Sequence, residues 1–189
     1  EEGLVSVRFN GVEVAMIGQL GFVGISAVLG ASDALGQQFI VHVPGMALSI
    51  AVDVFKKLSA AHPHIRDHFL RYADPFLVEI GQIGGCNGSH DIPQRVARWL
   101  VLASNNLGVY EIPVTHQKLA DCLNVRRAGV TEALVALEAE KVVNATRGAV
   151  QILEPEVLES KACGCQKNII ARYRRWRVKP YRHELRLEH

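Results

Sequence analysis

Two adjacent arginines, Arg126 and Arg127, stand where their side chains could grip a nucleic acid. A guanidinium fork meets phosphate oxygens, or the O6/N7 edge of guanine, in paired hydrogen bonds. Around them, Leu119, Leu123, Val125, Val130, Leu134 and Leu137 recur at helix-packing intervals on two short segments broken at Asn124-Val125. Helices this short cannot bury their inner faces alone, so they are expected to cross and share one small core. Ala120 is small where the helices would approach, and asparagine at 124 accepts the left-handed conformation of a tight turn. Arg126 and Arg127 then head the second helix, where a solvated cation opposes the helix dipole and a duplex would reward it. Thr131 lies one turn on, within reach of a thymine methyl. Glu132 could accept from a cytosine N4 or pair with a neighbouring cation. Thr115 is the expected N-cap of the first helix, and His116 beside it could meet phosphate, followed by the polar Gln117 and Lys118. Arg147-Gly148 separates two β-prone runs, a hairpin wing whose tip carries Arg147 toward phosphate or the minor groove.

The other chemistry-bearing residues are sparser. Cys163-Gly164-Cys165 is too short for a complete zinc site, no partnering pair follows at ligand spacing, and His183 is distant, so no metal is expected and the thiols read as free. Cys122 reads as packed. Cys86 lies at an expected joint between domains. His62, His64, His68 and His90 fall near helix ends, where histidine is common. No Ser/His/Asp or Cys/His arrangement, phosphate loop or paired carboxylates argue for an enzyme.

The elements that must position the arginines follow from periodicity. Leu4–Phe9, Val12–Ile17, Phe39–Val43 and Ala47–Val52 read as strands separated by glycine turns, with Asn10-Gly11 as a hairpin signal. They suggest a small antiparallel barrel or jelly roll lacking its first strands, since the chain opens at Glu1 with no methionine. From Val54 a short helix stops near His62-Pro63. A longer helix follows, with Phe69, Leu70, Phe76, Leu77, Ile80 and Ile83 as a stripe that has no evident match in the chain and is assigned to pairing with a second copy. Pro75 predicts a kink or break, and Gly84 to His90 a flexible joint. Asp91, Pro93 and Gln94 open another helix, which Gly108 ends. Residues 156–178 read as a final helical stretch. The fold class is thus α+β, with an antiparallel β-barrel or jelly roll, a long dimerisation helix and a C-terminal winged helix-turn-helix. Its domains are 1–88, 89–160 and a basic extension over 161–186; residues 187–189 read as a tag remnant.

Composition sets the bounds. The 189 residues are 49% hydrophobic and 21% charged, with a net charge of +2, so overall charge does not announce a nucleic-acid partner. From Lys161 to Arg186, however, nine basic residues face one acid, Glu184. That tail could bind DNA or form a solvated helix, and Trp176 and Tyr181 within it permit stacking. No apolar run is long enough to cross a membrane as a helix, and the cysteine usage suits a reducing cytoplasm.

In this order of elements the chain resembles a Crp/Fnr-type bacterial transcription regulator. The likeness runs from Leu4 to about Arg175 and is strongest over Arg95–Leu100, Val114–Leu137 and Arg147–Leu153. The runs Leu123–Ala133 and Glu159–Cys165 resemble a subgroup of undefined ligand. The resemblance implies a homodimer on double-stranded DNA, one recognition helix per half of a palindromic operator with Gln117 and Lys118 against phosphates, in the cytoplasm at the nucleoid. It admits RNA polymerase and an unknown small-molecule effector as partners, with no cofactor assigned. Members that bind cyclic AMP carry a glycine–glutamate pair and an arginine on the cyclic phosphate. Here Ile25 stands in place of the acid, and 30–39 holds no arginine, which implies another effector. The family's iron–sulfur cysteines precede the barrel and have no counterpart. On the recognition helix Arg127 matches the family's first reading arginine, but Ala128 and Glu132 replace its glutamate and second arginine. The operator should differ accordingly. A protein–protein adaptor that kept the fold without reading DNA is the alternative.

Overall fold

The computed structural model describes residues 3–19, 21–31 and 36–178. Strands β1 (Leu4–Phe9) and β2 (Val12–Ile17) form a hairpin across Asn10-Gly11, where both residues have positive φ, 50° and 80°. After the one-turn helix α1 (Ile25–Val28), β3 (Gln37–Val43) pairs with the other edge of β1, giving the antiparallel order β2-β1-β3. The helices follow: α2 (Val52–Ala61), α3 (Pro63–Ser89) and α4 (Ile92–Leu107). The C-terminal part holds β4 (Glu111–Ile112), α5 (His116–Leu123), α6 (Arg127–Ala139), β5 (Val143–Thr146), β6 (Ala149–Ile152), α7 (Pro155–Lys161) and α8 (Cys165–Val178).

Both faces of the first sheet are used. Strand alternation sends Val7, Ala15 and Ile17 to one side, where they pack with Tyr72, Ala73 and Phe76 of α3. Leu4 and Met16 point the other way and join the core built on α4, which includes Trp99, Leu100 and Leu107. Gly18 lies where this sheet meets α4: a Cβ there would fall 2.5 Å from the backbone oxygen of Asn106. Backbone cannot swing aside as a side-chain tip can. Gly18→Ala is therefore expected to lower stability by about 1–3 kcal/mol, read as a shifted urea midpoint; an unchanged midpoint would mean the contact is slack.

Five expectations are corrected. Ala47–Val52 is no strand: beyond Pro44 the chain runs exposed, with Met46 75% and Leu48 105% accessible, and Val52 opens α2. No neighbouring strand is available among the described residues to take its backbone hydrogen bonds. Among the described residues the sheet accordingly has three strands and does not close into a barrel. Helix α3 runs unbroken through Pro75, which is buried among Tyr72, Ala73 and Phe76, so packing outweighs one missing backbone donor. It also continues through Gly84, Gly85 and Gly88 to Ser89. A helical glycine costs about 1 kcal/mol relative to alanine; the burial of Ile83 and Cys86 on the same turns offsets it. Only His90 and Asp91 therefore separate α3 from α4.

The apolar stripe of α3 is the fifth. Phe76 and Ile83 are 4% and 2% exposed inside their own chain. Phe69 meets the rings of Phe22 and Phe55 at 4.8 and 5.1 Å, and Ile80 packs on the sheet core. Phe76 and Ile83 are thus covered, and Phe69 and Ile80 half-covered, by α1, α2, the sheet and α8, elements whose contacts periodicity could not foresee. Leu70 is half-buried, and Leu77 remains 62% exposed.

The final helical stretch is two helices, broken at Ala162 to Gly164 so that Cys163 turns inward. Helix α8 lies along α3: Arg172 pairs with Asp74 at 2.9 Å, the Tyr173 hydroxyl donates to Glu79 at 2.7 Å, and Trp176 meets Tyr72 at 5.3 Å. This part of the basic extension is thus a packed helix, while Tyr181, His183 and the tail beyond lie outside the described residues.

Candidate nucleic-acid interface

Helix α4 is the frame on which the reading residues are set. Asp91 caps it, accepting from the Gln94 amide at 2.9 Å, and Gly108 ends it at φ 72°. Val96 to Ala103 are buried on every side, so α5, α6 and α7 pack around it. Thr115 caps α5 by accepting from the Lys118 amide at 3.1 Å. Asn124 takes the left-handed conformation (φ 51°, ψ 53°) that reverses the chain into α6. Leu119, Ala120, Leu123, Val130, Leu134 and Leu137 are buried at the crossing.

A buried arginine fixes the angle between α4 and α5. Arg95, 7% exposed, donates through Nη2 to the Leu123 carbonyl at the end of α5. Burial lowers its pKa, and the nearby Arg98 adds to that. Local signals do not reveal this role, because its acceptor is a backbone oxygen in another helix.

Arg126 occupies the N-cap position of α6 and Arg127 is its first residue; both side chains are exposed. His116 Nδ1 lies 3.0 Å from Thr131 Oγ1, so the start of α5 is tied to the second turn of α6. Gln117 Nε2 donates to Asp121 Oδ1 at 2.7 Å, and Lys118 is exposed beside it. Glu132 stands apart from this group. It lines a hollow of about 440 Å³ with Asp91, Ile92, Pro93, Gly129, Ala133 and Ala136, on the flank of α6 toward α4. Arg147 is exposed at the turn between β5 and β6, where Gly148 supplies φ 103°. Glu138 Oε1 accepts from the Ala145 amide at 2.8 Å and ties this hairpin to α6. The short strand β4, unforeseen because only two residues form it, pairs with β6 and completes a three-stranded wing sheet.

The reading helices are also held by the first sheet. Cys122 Sγ on α5 lies 3.3 Å from His42 Nε2 of β3 and accepts from Arg8 Nη2 of β1 at 3.4 Å. His42 Nε2 is 3.5 Å from Glu13 Oε2, and the Trp99 indole donates to Glu13 Oε1 at 2.7 Å. Burial pushes the Cys122 thiol up, so it is a packed group at this junction.

A second gathering was not expected from spacing. No partner to Cys163 and Cys165 follows them at ligand spacing, but Cys86 and His90 lie upstream and are brought to them by the packing of α8 on α3. Cys86 Sγ is 3.3 Å from Cys163 Sγ, and Cys165 Sγ is 3.8 Å from His90 Nδ1.

An α4-framed helix pair with exposed arginines and a three-stranded wing defines a winged helix-turn-helix, which implies DNA binding. Residues 94–161 match the Crp-like helix-turn-helix domain. Solved structures extend the likeness to the whole architecture. A CRP-family transcriptional regulator from Thermus thermophilus has TM-score 0.68 at 17% identity, over 86% of this chain and 85% of that one. FixK2 from Bradyrhizobium japonicum has TM-score 0.62 at 11% identity, over 86% and 84%. The c-di-GMP responsive global regulator CLP of Xanthomonas campestris has TM-score 0.61 at 18% identity, over 80% and 81%. No curated protein matches the chain. The protein carries a Crp-like helix-turn-helix domain within the fold of the Crp/Fnr transcription regulators. Among the described residues, no helix is long and apolar enough to cross a membrane.

Proposed function

We propose that the protein is a homodimeric, sequence-specific transcription regulator that places one α6 in each half of a palindromic operator. The observation that carries this reading is the exposed pair Arg126 and Arg127 at the start of α6, with α5, α4 and the wing immobilising the helix behind them. Thr115, His116, Gln117, Lys118 and Arg147 would neutralise phosphates on either side. Arg127 would read a guanine and Thr131 a thymine methyl, although the His116 bond engages the Thr131 hydroxyl. Glu132 sits on the flank, which supports a role in positioning rather than base reading. For the pairing of two copies, Leu77 and the exposed Gly81 and Gly84 leave one face of α3 open to close approach by a second helix. The effector would be something other than cyclic AMP, since Ile25 is buried where those members place an acid.

The test starts from genomic fragments captured by the purified protein. On the recovered operator, Arg127→Ala is expected to weaken binding by about 1–3 kcal/mol and to relax discrimination at one base pair. An equal loss on every sequence would reduce Arg127 to a phosphate contact. Binding that does not weaken steeply with salt would remove phosphate neutralisation from the reading and leave the adaptor alternative.

A further inference from the structure

We propose that Cys86, His90, Cys163 and Cys165 form a tetrahedral site for one zinc ion, which fastens the junction of α7 and α8 to the end of α3. The four ligand atoms, three Sγ and one imidazole nitrogen, all lie within 4.8 Å of one another. A tetrahedral ion with Zn–S near 2.3 Å and Zn–N near 2.0–2.1 Å spaces its ligands by roughly 3.5–3.8 Å. The 3.3 Å and 3.8 Å separations already observed bracket that spacing. Cys86 and His90 are one helical turn apart at the C-terminus of α3, where the His90 amide still donates to the Cys86 carbonyl. Cys163 is in the break between α7 and α8, and Cys165 is the first residue of α8. The interruption of the final helix is what turns Cys163 inward, so the local backbone and the cluster have one explanation.

The charge balance points the same way. Arg98 is 2% exposed, and its Nε and Nη1 have no hydrogen-bond partner among the described residues. Its charge acts on both Cys86 and Cys165. It acts on Glu79 too, but that carboxyl already accepts from the Met16 amide and the Tyr173 hydroxyl. Binding Zn²⁺ would displace three thiol protons and leave three thiolates, one neutral imidazole and the dication, a net charge of −1. A buried guanidinium with open N–H groups is suited to that anion. Soft thiolates with imidazole select zinc over magnesium or calcium, and four protein ligands leave no open position, so the site is structural. A disulfide between Cys86 and Cys163 would use two of the four groups and leave Cys165 and His90 unaccounted for.

The experiment uses the full chain, purified under reducing conditions without chelator. Elemental analysis is expected to find one zinc per chain. Replacement by Co²⁺ should produce thiolate-to-cobalt charge-transfer bands and the intense visible bands of a tetrahedral site. Loss of a supporting group outside the ligands typically costs 10–100-fold in metal affinity. His90→Ala, which removes a half-buried ligand, should therefore weaken zinc about 100-fold or more against a competing chelator while circular dichroism stays native. Cys163→Ser and Cys165→Ser should lose the cobalt spectrum. A folded, reduced protein that holds less than about a tenth of an ion and gives no cobalt spectrum overturns the proposal. So does wild-type affinity in His90→Ala together with Cys163→Ser. Loss of the ion on Cys122→Ser, with retention in those two variants, would move it to Glu13, His42 and Cys122 and equally overturn the assignment.

Discussion

Trp99→Ala is expected to cost about 3–5 kcal/mol, the range for deleting a buried tryptophan. Trp99 is 1% exposed at the centre of α4, packed between the first sheet and the reading helices. The loss has two parts. The indole volume is one. The other is the 2.7 Å hydrogen bond from Nε1 to Glu13 Oε1, a carboxyl group 3% exposed whose Oε2 faces His42 Nε2 at 3.5 Å. Trp99→Phe separates them, since it keeps much of the ring and removes the donor. It should cost about 1–3 kcal/mol for the buried Oε1 left without its donor. A total stability of about 5–15 kcal/mol is normal for a domain, so the alanine variant would lie near the unfolding threshold at room temperature. Urea midpoints of the three proteins decide the matter. If phenylalanine were neutral, the Glu13 bond would contribute nothing to stability. If phenylalanine were as costly as alanine, the packing would be the minor part.

The second large effect is a pH dependence centred on Glu79. This carboxyl is 1% exposed on α3 and accepts from the Met16 amide at 2.9 Å and the Tyr173 hydroxyl at 2.7 Å. It thereby ties α3 to β2 and to α8. Burial pushes its pKa up to about 7 from 4.5, and the two hydrogen bonds only partly oppose that. Because the folded value is the higher one, the native state keeps a proton that the unfolded chain has released. Stability from this group is fully present below pH 4.5, falls as pH rises, and levels off above about 7. At about 1.4 kcal/mol per unit, the swing is of order 3 kcal/mol. Glu79→Gln removes the titration and keeps an acceptor for the Met16 amide. The stability of the glutamine variant minus that of the natural protein should therefore rise between pH 5 and 8, by roughly that swing. Taking the difference cancels the other carboxylates and histidines. A difference that stays flat across this range would show that Glu79 does not titrate there.

Both residues stand at contacts between elements distant in sequence, and that separation marks the limit of what the sequence shows. Asp91 capping α4, Thr115 capping α5, left-handed Asn124 and the Asn10-Gly11 and Arg147-Gly148 turns are all legible in it. Each depends on a hydrogen bond or a backbone preference confined to three or four residues. The crossing of α5 and α6 is legible as well, because six apolar residues at helical intervals leave few ways to bury themselves.

Other features depend on neighbours. Gly84, Gly85 and Gly88 carry a local preference against helix, and the burial of Ile83 and Cys86 overrides it. The run 47–52 has strand-like residues, but a strand also needs a partner to bond with. Phe69, Phe76, Ile80 and Ile83 form an apolar stripe whichever surface covers them. Only the folded chain shows that its own sheet and helices do so, leaving Leu77 outside. Cys86 and Cys163 are 77 residues apart, so no spacing rule could bring them together.

What the residue string determined by itself is the reading unit: which helices form, where they start and stop, and that paired arginines lead the second. What tertiary structure decided is how that unit is held, by Arg95, Cys122 and Trp99, and that four side chains able to ligate a metal meet where α3, α7 and α8 converge. The reason is physical. Capping and turn energies act over a few bonds, whereas burial and electrostatic partnership depend on distance in space, which only packing sets.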